Sequence, residues 1–284
     1  MPNLKEIRNR IGSVSSTMQI TSAMKMVSAA KLKKAQDAIT AMRPYSNKLT
    51  QMLVNLSSSI DFENIYLKPR KAENLLVVCI TSNRGLCGAF NSNIIKKCFD
   101  LADNHEGNTS FFCIGKKGAD ILSKNHNVID SNNEIFDELS FEKVSLIAEV
   151  LMKKYTEKEV DSIQIVYNKF KNAATQIVML EQYLPIENTV TENNQKESAD
   201  YIFEPSKIEI ISELIPKSLR TQLFKSIRDS YASEHGARMT AMHKATDNAT
   251  ELRDQLKLTY NKARQAAITN EILEIVGGAE ALNS

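Results

Sequence analysis

The residues best placed to do chemistry stand in a row after an apolar run: Ser82, Asn83, Arg84, Gly85, Leu86, Cys87 and Gly88. A glycine-bearing turn between a strand and a helix is where an α/β domain cradles a phosphate, on backbone N–H groups that the helix start leaves free. The spacing argues against that use. No Gly-x-x-x-x-Gly-Lys-Ser/Thr occurs, Gly115-Lys116-Lys117-Gly118 lacks the hydroxyl residue, and no Gly-x-Gly-x-x-Gly follows the strand. The glycines are expected to make the strand-to-helix turn itself. His105, His126, His235 and His243 are scattered, with no nucleophile or metal grouping around them. His235, beside Gly236, reads as a surface or packing residue. Cys79, Cys87, Cys98 and Cys113 form no Cys-x-x-Cys pair and read as reduced thiols, Cys79 and Cys113 inside strand-like apolar runs. No catalytic residue, metal site or cofactor is expected.

The remaining chemistry is charge. The net charge is only +2, yet residues 1–60 carry nine Lys or Arg against two acids, Glu6 and Asp37. Such a stripe needs solvent or an anionic neighbour. A basic coiled coil that binds structured RNA is one class to weigh, but residues 1–60 hold a single aromatic, Tyr45, so bases have almost nothing to stack on. The longest purely apolar run, Leu75–Ile80, is far too short to span a bilayer, and no hydrophobic signal region opens the sequence. A soluble or peripheral protein is expected.

Two long helices position everything else. Between Asn3 and Arg43 the only breaker is Gly12, and Ile7, Ile11, Val14 and Met18, then Leu32, Ala35, Ile39 and Met42, recur at alternating spacings of four and three. From Lys217 to Val276 there is no proline and one glycine, Gly236. That helix would run on the order of 90 Å at the usual rise per residue. Between them, Leu75–Thr81, Ser110–Gly115, Ser162–Asn168 and Gln176–Leu184 read as strands, alternating with helices at Asn91–Asp103, Lys116–Lys124 and Phe141–Lys158. The alternation predicts an α/β domain inserted between the helices. The polar stretch Glu187–Ala199 reads as a flexible loop before the chain re-enters helix near Ile208. The expected architecture is an antiparallel coiled coil of the N- and C-terminal helices (1–60 and 207–284) with the α/β domain at 72–200. Neither helix would be stable without a packed face.

Two departures from regularity suggest partners. In the middle of the first helix the seam is occupied by Thr21, Lys25 and Ser28, while Ile20, Met24 and Val27 carry apolar character one residue earlier. Either the coiled coil curves or adjusts its register there, or a second apolar surface meets another subunit. In the second helix, Ala241, Ala245, Ala249, Ala263, Ala266 and Ala267 allow close approach. Its end differs: Ile268, Ile272, Leu273, Ile275 and Val276 spread over more than one face. An apolar tip on a soluble protein is an aggregation liability unless a partner supplies a socket.

Three separated segments carry a family resemblance: IRNRIGSVSSTMQITSAMKMVSAAKLKKAQ (Ile7–Gln36), TSNRGLCGAFN (Thr81–Asn91), and ARMTAMHKATDNA (Ala237–Ala249) with YNKARQAAITNEILEIVGGA (Tyr260–Ala279). In that order they resemble the gamma subunits of F-type ATP synthases. The resemblance implies a non-catalytic rotor, a coiled-coil shaft with a Rossmann-like foot, whose partners are three alpha and three beta subunits, an epsilon subunit and the membrane c-ring, on the cytoplasmic face of a bacterial membrane. It implies that Met24 and Lys25 face acidic loops of the catalytic subunits, although the family often has an acidic residue where Lys25 stands. It further implies hexamer contacts at Arg238, Gln265, Thr269, Glu271 and Glu274 near the tip, a bearing around Ile268, Ile272, Leu273, Ile275 and Val276, and membrane-ring contacts at Tyr201 and Glu204. Some members carry a cysteine-bearing insert that makes rotation redox-sensitive. No cysteine follows Cys113 here, so no such switch is expected.

Overall fold

In a computed structural model, residues 4–57, 65–67, 70–71, 73–186 and 206–283 are described. The elements run α1 (Leu4–Ser57), β1 (Asn74–Ile80), α2 (Phe90–Asn104), β2 (Asn108–Ile114), α3 (Lys116–Leu122), β3 (Asn127–Asn132), a 3-10 turn (Glu134–Phe136), α4 (Phe141–Thr156), β4 (Ser162–Phe170), β5 (Gln176–Leu184) and α5 (Lys207–Asn283). Both terminal helices run on through a proline, Pro44 inside α1 and Pro216 inside α5. A proline deletes one helical hydrogen bond. Around Pro216, Ile211, Ile215 and Leu219 are buried. Each such side chain contributes about 1.5–3 kcal/mol, enough to hold the helix through the break.

The sheet order is β3-β2-β1-β4-β5, parallel except for the antiparallel β4–β5 pair. β1 is apolar from Leu75 to Ile80 because both of its faces are covered there. Leu76, Val78 and Ile80 face a core shared with α4 and with Ile211, Ile215, Leu219, Leu223 and Ile227 of α5. Leu75, Val77 and Cys79 point the other way, to Phe90, Ile94 and Cys98 of α2 and Leu122 of α3. Alternation along one strand thus feeds two cores. The fold is a pair of long helices with a doubly wound, mixed α/β sheet inserted between them.

β3 was absent from the strands expected above. Its sequence, NVIDSN, is polar and mostly exposed, and its register on β2 shifts between Phe111 and Phe112. An edge strand with one partner buries little, so it leaves no hydrophobic alternation to read.

The chain forms two compact units, residues 1–28 with 239–284, and residues 29–238. In the first, α1 and α5 pair antiparallel: Thr21 meets Thr246, and Thr250 reaches Met18. The second contains the sheet, its covering helices and the adjoining parts of α1 and α5. The Glu187–Ala199 stretch lies outside the described residues.

Candidate functional site

The seam of α1 holds one register throughout. Ile7, Thr21 and Ser28 are buried in the first unit, and Leu32, Ala35, Ile39, Leu49 and Leu53 in the second, all on one series of fours and threes. The seam neither shifts nor follows the apolar residues where these move over by one position. Polar side chains fill it instead, because each hydroxyl finds a partner inside the helix pair: Thr21 Oγ1 donates to the Met18 carbonyl at 3.1 Å and Ser28 Oγ to that of Met24 at 2.7 Å. The displaced apolar side chains face outward. Ile20 is 61% exposed, Met26 65% and Val27 57%, while Met24 is half-buried.

Lys25 sits beside α5, its Nζ 3.3 Å from His243 Nδ1, and Asp247 Oδ2 lies 3.3 Å from the same ring nitrogen. An ammonium facing an imidazole and a carboxylate is held at the helix surface by its own unit.

Towards its end α5 loses all cover: residues 267–279 are exposed on every side of the helix. Ile268, Ile272, Leu273, Ile275 and Val276 are each about half exposed or more. Gln265, Thr269, Glu271 and Glu274 stand among them, also exposed, with Thr269 Oγ1 turned back on the Gln265 carbonyl at 2.9 Å. One face of apolar residues would be an ordinary buried stripe. Apolar residues on several faces of a bare helix call for an enclosing partner.

Arg238 departs from its expected place. It is 7% exposed and lies in the unit that holds the sheet. Its guanidinium pairs with Glu234 one turn earlier, donates to the Gly85 carbonyl, and donates to the Arg84 carbonyl at 3.3 Å. It is no surface residue near the tip, because both of its terminal nitrogens are committed to acceptors of its own unit. Burial pushes the Glu234 carboxyl above the usual carboxylate range, and Arg238 beside it pulls it part of the way back. Glu234 and His235 were not singled out for this role. Nothing in a helical pattern separates a buried polar face from a solvated one.

Tyr201 and Glu204 lie outside the described residues.

The crevice at the carboxyl ends of β1 and β4, where a doubly wound sheet receives a ligand, is filled by the chain's own groups. Ser82 Oγ donates to the Arg84 carbonyl at 2.7 Å, and Asn91 Oδ1 accepts from the Ser82 amide at 2.9 Å. The first amides of α3 are also taken: Lys116 N–H by Asn83 Oδ1, Lys117 N–H by the Ser82 carbonyl, and Gly118 N–H by Thr81 Oγ1. Gly115, at φ +108, makes the turn, and a Cβ there would meet the Thr81 carbonyl. From α5, Ser233 Oγ donates to the Asn168 carbonyl at 2.9 Å, and Gly236 brings the helix against Ala173. The α3 amides that a phosphate would use are already paired.

All four cysteines are free and buried. Burial pushes the Cys87 thiol up, and Cys79 is pushed well up by its neighbours Cys113 and Cys98 and by burial, the reverse of an activated thiolate. Among the described residues, no group of three or more His, Cys, Asp or Glu is arranged to hold a metal ion, and no helix is long and apolar enough to cross a membrane.

Comparison with known proteins gives a consistent result. The sequence model of the family described as ATP synthase matches residues 3–282. The chain is 67% identical to the ATP synthase gamma chain of Flavobacterium johnsoniae, with 100% of each covered. It is 63% identical to that of Christiangramia forsetii, again with 100% of each covered. Among solved structures, the rotor of the Euglena gracilis mitochondrial ATP synthase shares its fold at a TM-score of 0.69 and 22% identity, over 93% of this chain and 98% of that one. The central stalk and c-ring structure from Tetrahymena thermophila contains a chain similar at a TM-score of 0.62 and 26% identity, over 80% and 99%.

Proposed function

Because the chain belongs to the ATP synthase gamma-chain family, we propose that it is the central rotor shaft of an F-type ATP synthase, coupling ion-driven rotation of a membrane ring to ATP synthesis or hydrolysis in a surrounding hexamer. The observation that carries this reading is the bare end of α5, where residues 267–279 are exposed on all sides with five large apolar side chains among them. A ring of three alpha and three beta subunits supplies the socket such a tip requires.

A single asymmetric chain cannot present the same surface to three identical catalytic subunits. Each is therefore biased towards a different state, and rotation permutes the states. Linkage makes the effect reciprocal, so that nucleotide binding and release push back on the shaft. The shaft itself catalyses nothing on this reading. Met24 and Lys25 face the catalytic subunits beside the exposed Ile20 and Val27, and the basic residues of α1 find their anionic neighbours there. Gln265, Thr269, Glu271 and Glu274 slide against the socket, Tyr201 and Glu204 stand near the ring, and an epsilon subunit completes the stalk on the cytoplasmic face of a bacterial membrane.

Native mass spectrometry of the complex purified with this chain from its own membranes, with ATPase activity followed through the same fractions, tests the reading. One copy with three each of two larger nucleotide-binding subunits is the expected result. A homo-oligomer or an RNA-bound species without ATPase activity overturns it.

A further inference from the structure

The part of α5 that crosses the sheet is built from small side chains. Ser226, Ser230, Ala232, Ser233 and Ala237 are all buried, and Gly236 lies so close to the β4–β5 turn that a Cβ would stand 3.3 Å from Ala173. Such a face packs tightly but has shallow ridges, and shallow ridges do little to stop a helix sliding or turning in its groove. The polar groups on this face are directional. Arg238 joins Glu234 to the carbonyls of Arg84 and Gly85, and Ser233 holds the Asn168 carbonyl. His235 stands between them, its ring edge-on to Tyr231 at 4.4 Å.

We propose that Arg238 and Glu234 form a register lock, fixing α5 at one axial and rotational position against the carboxyl ends of β1 and β4. A step of one residue moves a helical side chain by about 1.5 Å along the axis and about 100° around it. Either displacement takes the guanidinium away from both carbonyls, while Glu234, on the same helix, moves with it: the pair stays joined but loses its acceptors on the loop after β1 and is left buried without them. Buried polar groups that must meet partners on another element are best attested in this register-setting use, and here Glu234 aims the guanidinium that makes the contact. The lock explains why the ligand crevice of the sheet is filled by α5: the helix occupies it as a ligand would. Its consequence for torque, that the α/β unit turns with the helix instead of slipping on it, rests on the rotor reading. The lock itself does not.

The test uses the complete complex with spin labels at Lys96→Cys and Lys217→Cys, both exposed positions, while the four native cysteines are buried. The lock is removed by Glu234→Leu with Arg238→Met, which leaves no unpaired charge to unfold the chain. A second variant, Arg238→Lys, keeps a charge for Glu234 but cannot fork to two carbonyls. The native pair is expected to give one narrow distance, the double variant a broadened or split distribution, and Arg238→Lys a distribution between the two. Ion pumping per ATP hydrolysed, read in vesicles, is expected to fall severalfold in the double variant. A broadened distribution with pumping intact upholds the lock and tells against the rotor role. An unchanged narrow distribution in both variants overturns the lock, whatever the pumping does.

Discussion

Thr21 of α1 and Thr246 of α5 meet across the helix pair with their hydroxyl oxygens 2.8 Å apart, at a seam position where a coiled coil ordinarily carries an apolar residue. The protons are accounted for: Thr21 donates to the Met18 carbonyl and accepts from Thr246, whose alternative acceptor is the Met242 carbonyl at 2.8 Å. Replacing both by Val removes donor and acceptor together at nearly constant shape, so the double variant is expected to match or slightly exceed the native stability. Thr21→Val alone is expected to cost about 1 kcal/mol, and a double-mutant cycle in urea should show a coupling of similar size. Strict additivity would remove the case for a paired polar layer.

His235 predicts a pH dependence. Burial, with Lys31 and Arg238 nearby, lowers its pKa from 6.5 to about 4, and neither ring nitrogen has a hydrogen-bond partner among the described residues. The folded state therefore keeps the ring neutral where the unfolded chain protonates it. Stability is unaffected above pH 6.5 and is lost progressively from there to about 4, by roughly 3 kcal/mol in all. Burial raises the carboxyls of Glu234 and Asp229, and these act in the opposite sense, losing stability as the pH rises. Unfolding free energies at pH 7.5 and pH 5 should differ by about 2 kcal/mol more in the native chain than in His235→Leu. Parallel curves for the two proteins would refute a buried neutral imidazole.

Two helical glycines are expected to respond oppositely to substitution. At Gly12 an added Cβ meets nothing within 4 Å, so Gly12→Ala should stabilise by up to about 1 kcal/mol through helix propensity. At Gly236 the neighbour is the backbone of Ala173 at 3.3 Å, so Gly236→Leu must push the β4–β5 turn away, at a cost of about 1–3 kcal/mol. Thermal midpoints of the two variants should move in opposite directions. A stabilised Gly236→Leu would show that the close approach is not needed.

The tip separates stability from function. Ile272 is 55% exposed and Ile275 66%, so Ile272→Asp and Ile275→Asp should leave the chain's own unfolding free energy within about 0.5 kcal/mol of native. Assembly or coupled ATP synthesis should fall sharply for both, and much less for a charge added in the Glu187–Ala199 stretch. Equal and negligible effects at both places would dispose of an apolar bearing.

Much of the fold was legible because burial writes itself into periodicity. The β5 limits, Gln176–Leu184, agree residue for residue with the apolar pattern, and β1, β2 and β4 differ from it by two residues or fewer at each end. β3 was invisible for the converse reason, since a polar edge strand is held by backbone bonds that no side chain reports. The exposed tip was legible too, as apolar residues on too many faces for one stripe. Arg238 was not: an arginine on a long helix looks the same whether it faces water or a pair of carbonyls.

The amino-acid order alone determined the two long helices, the α/β character of the segment between them and the lack of a phosphate-loop spacing, because each follows from propensity, period and motif within one stretch of chain. Only the tertiary structure decided that the α1 seam keeps its register through Thr21 and Ser28, that Ile20 and Val27 turn outward, and that α5 fills the sheet's crevice with Ser233, Gly236 and Arg238. Those outcomes depend on which groups from distant parts of the chain meet. Hydrogen-bond partners more than a hundred residues apart, such as Arg238 with Gly85 and Thr246 with Thr21, exist only once the chain has folded.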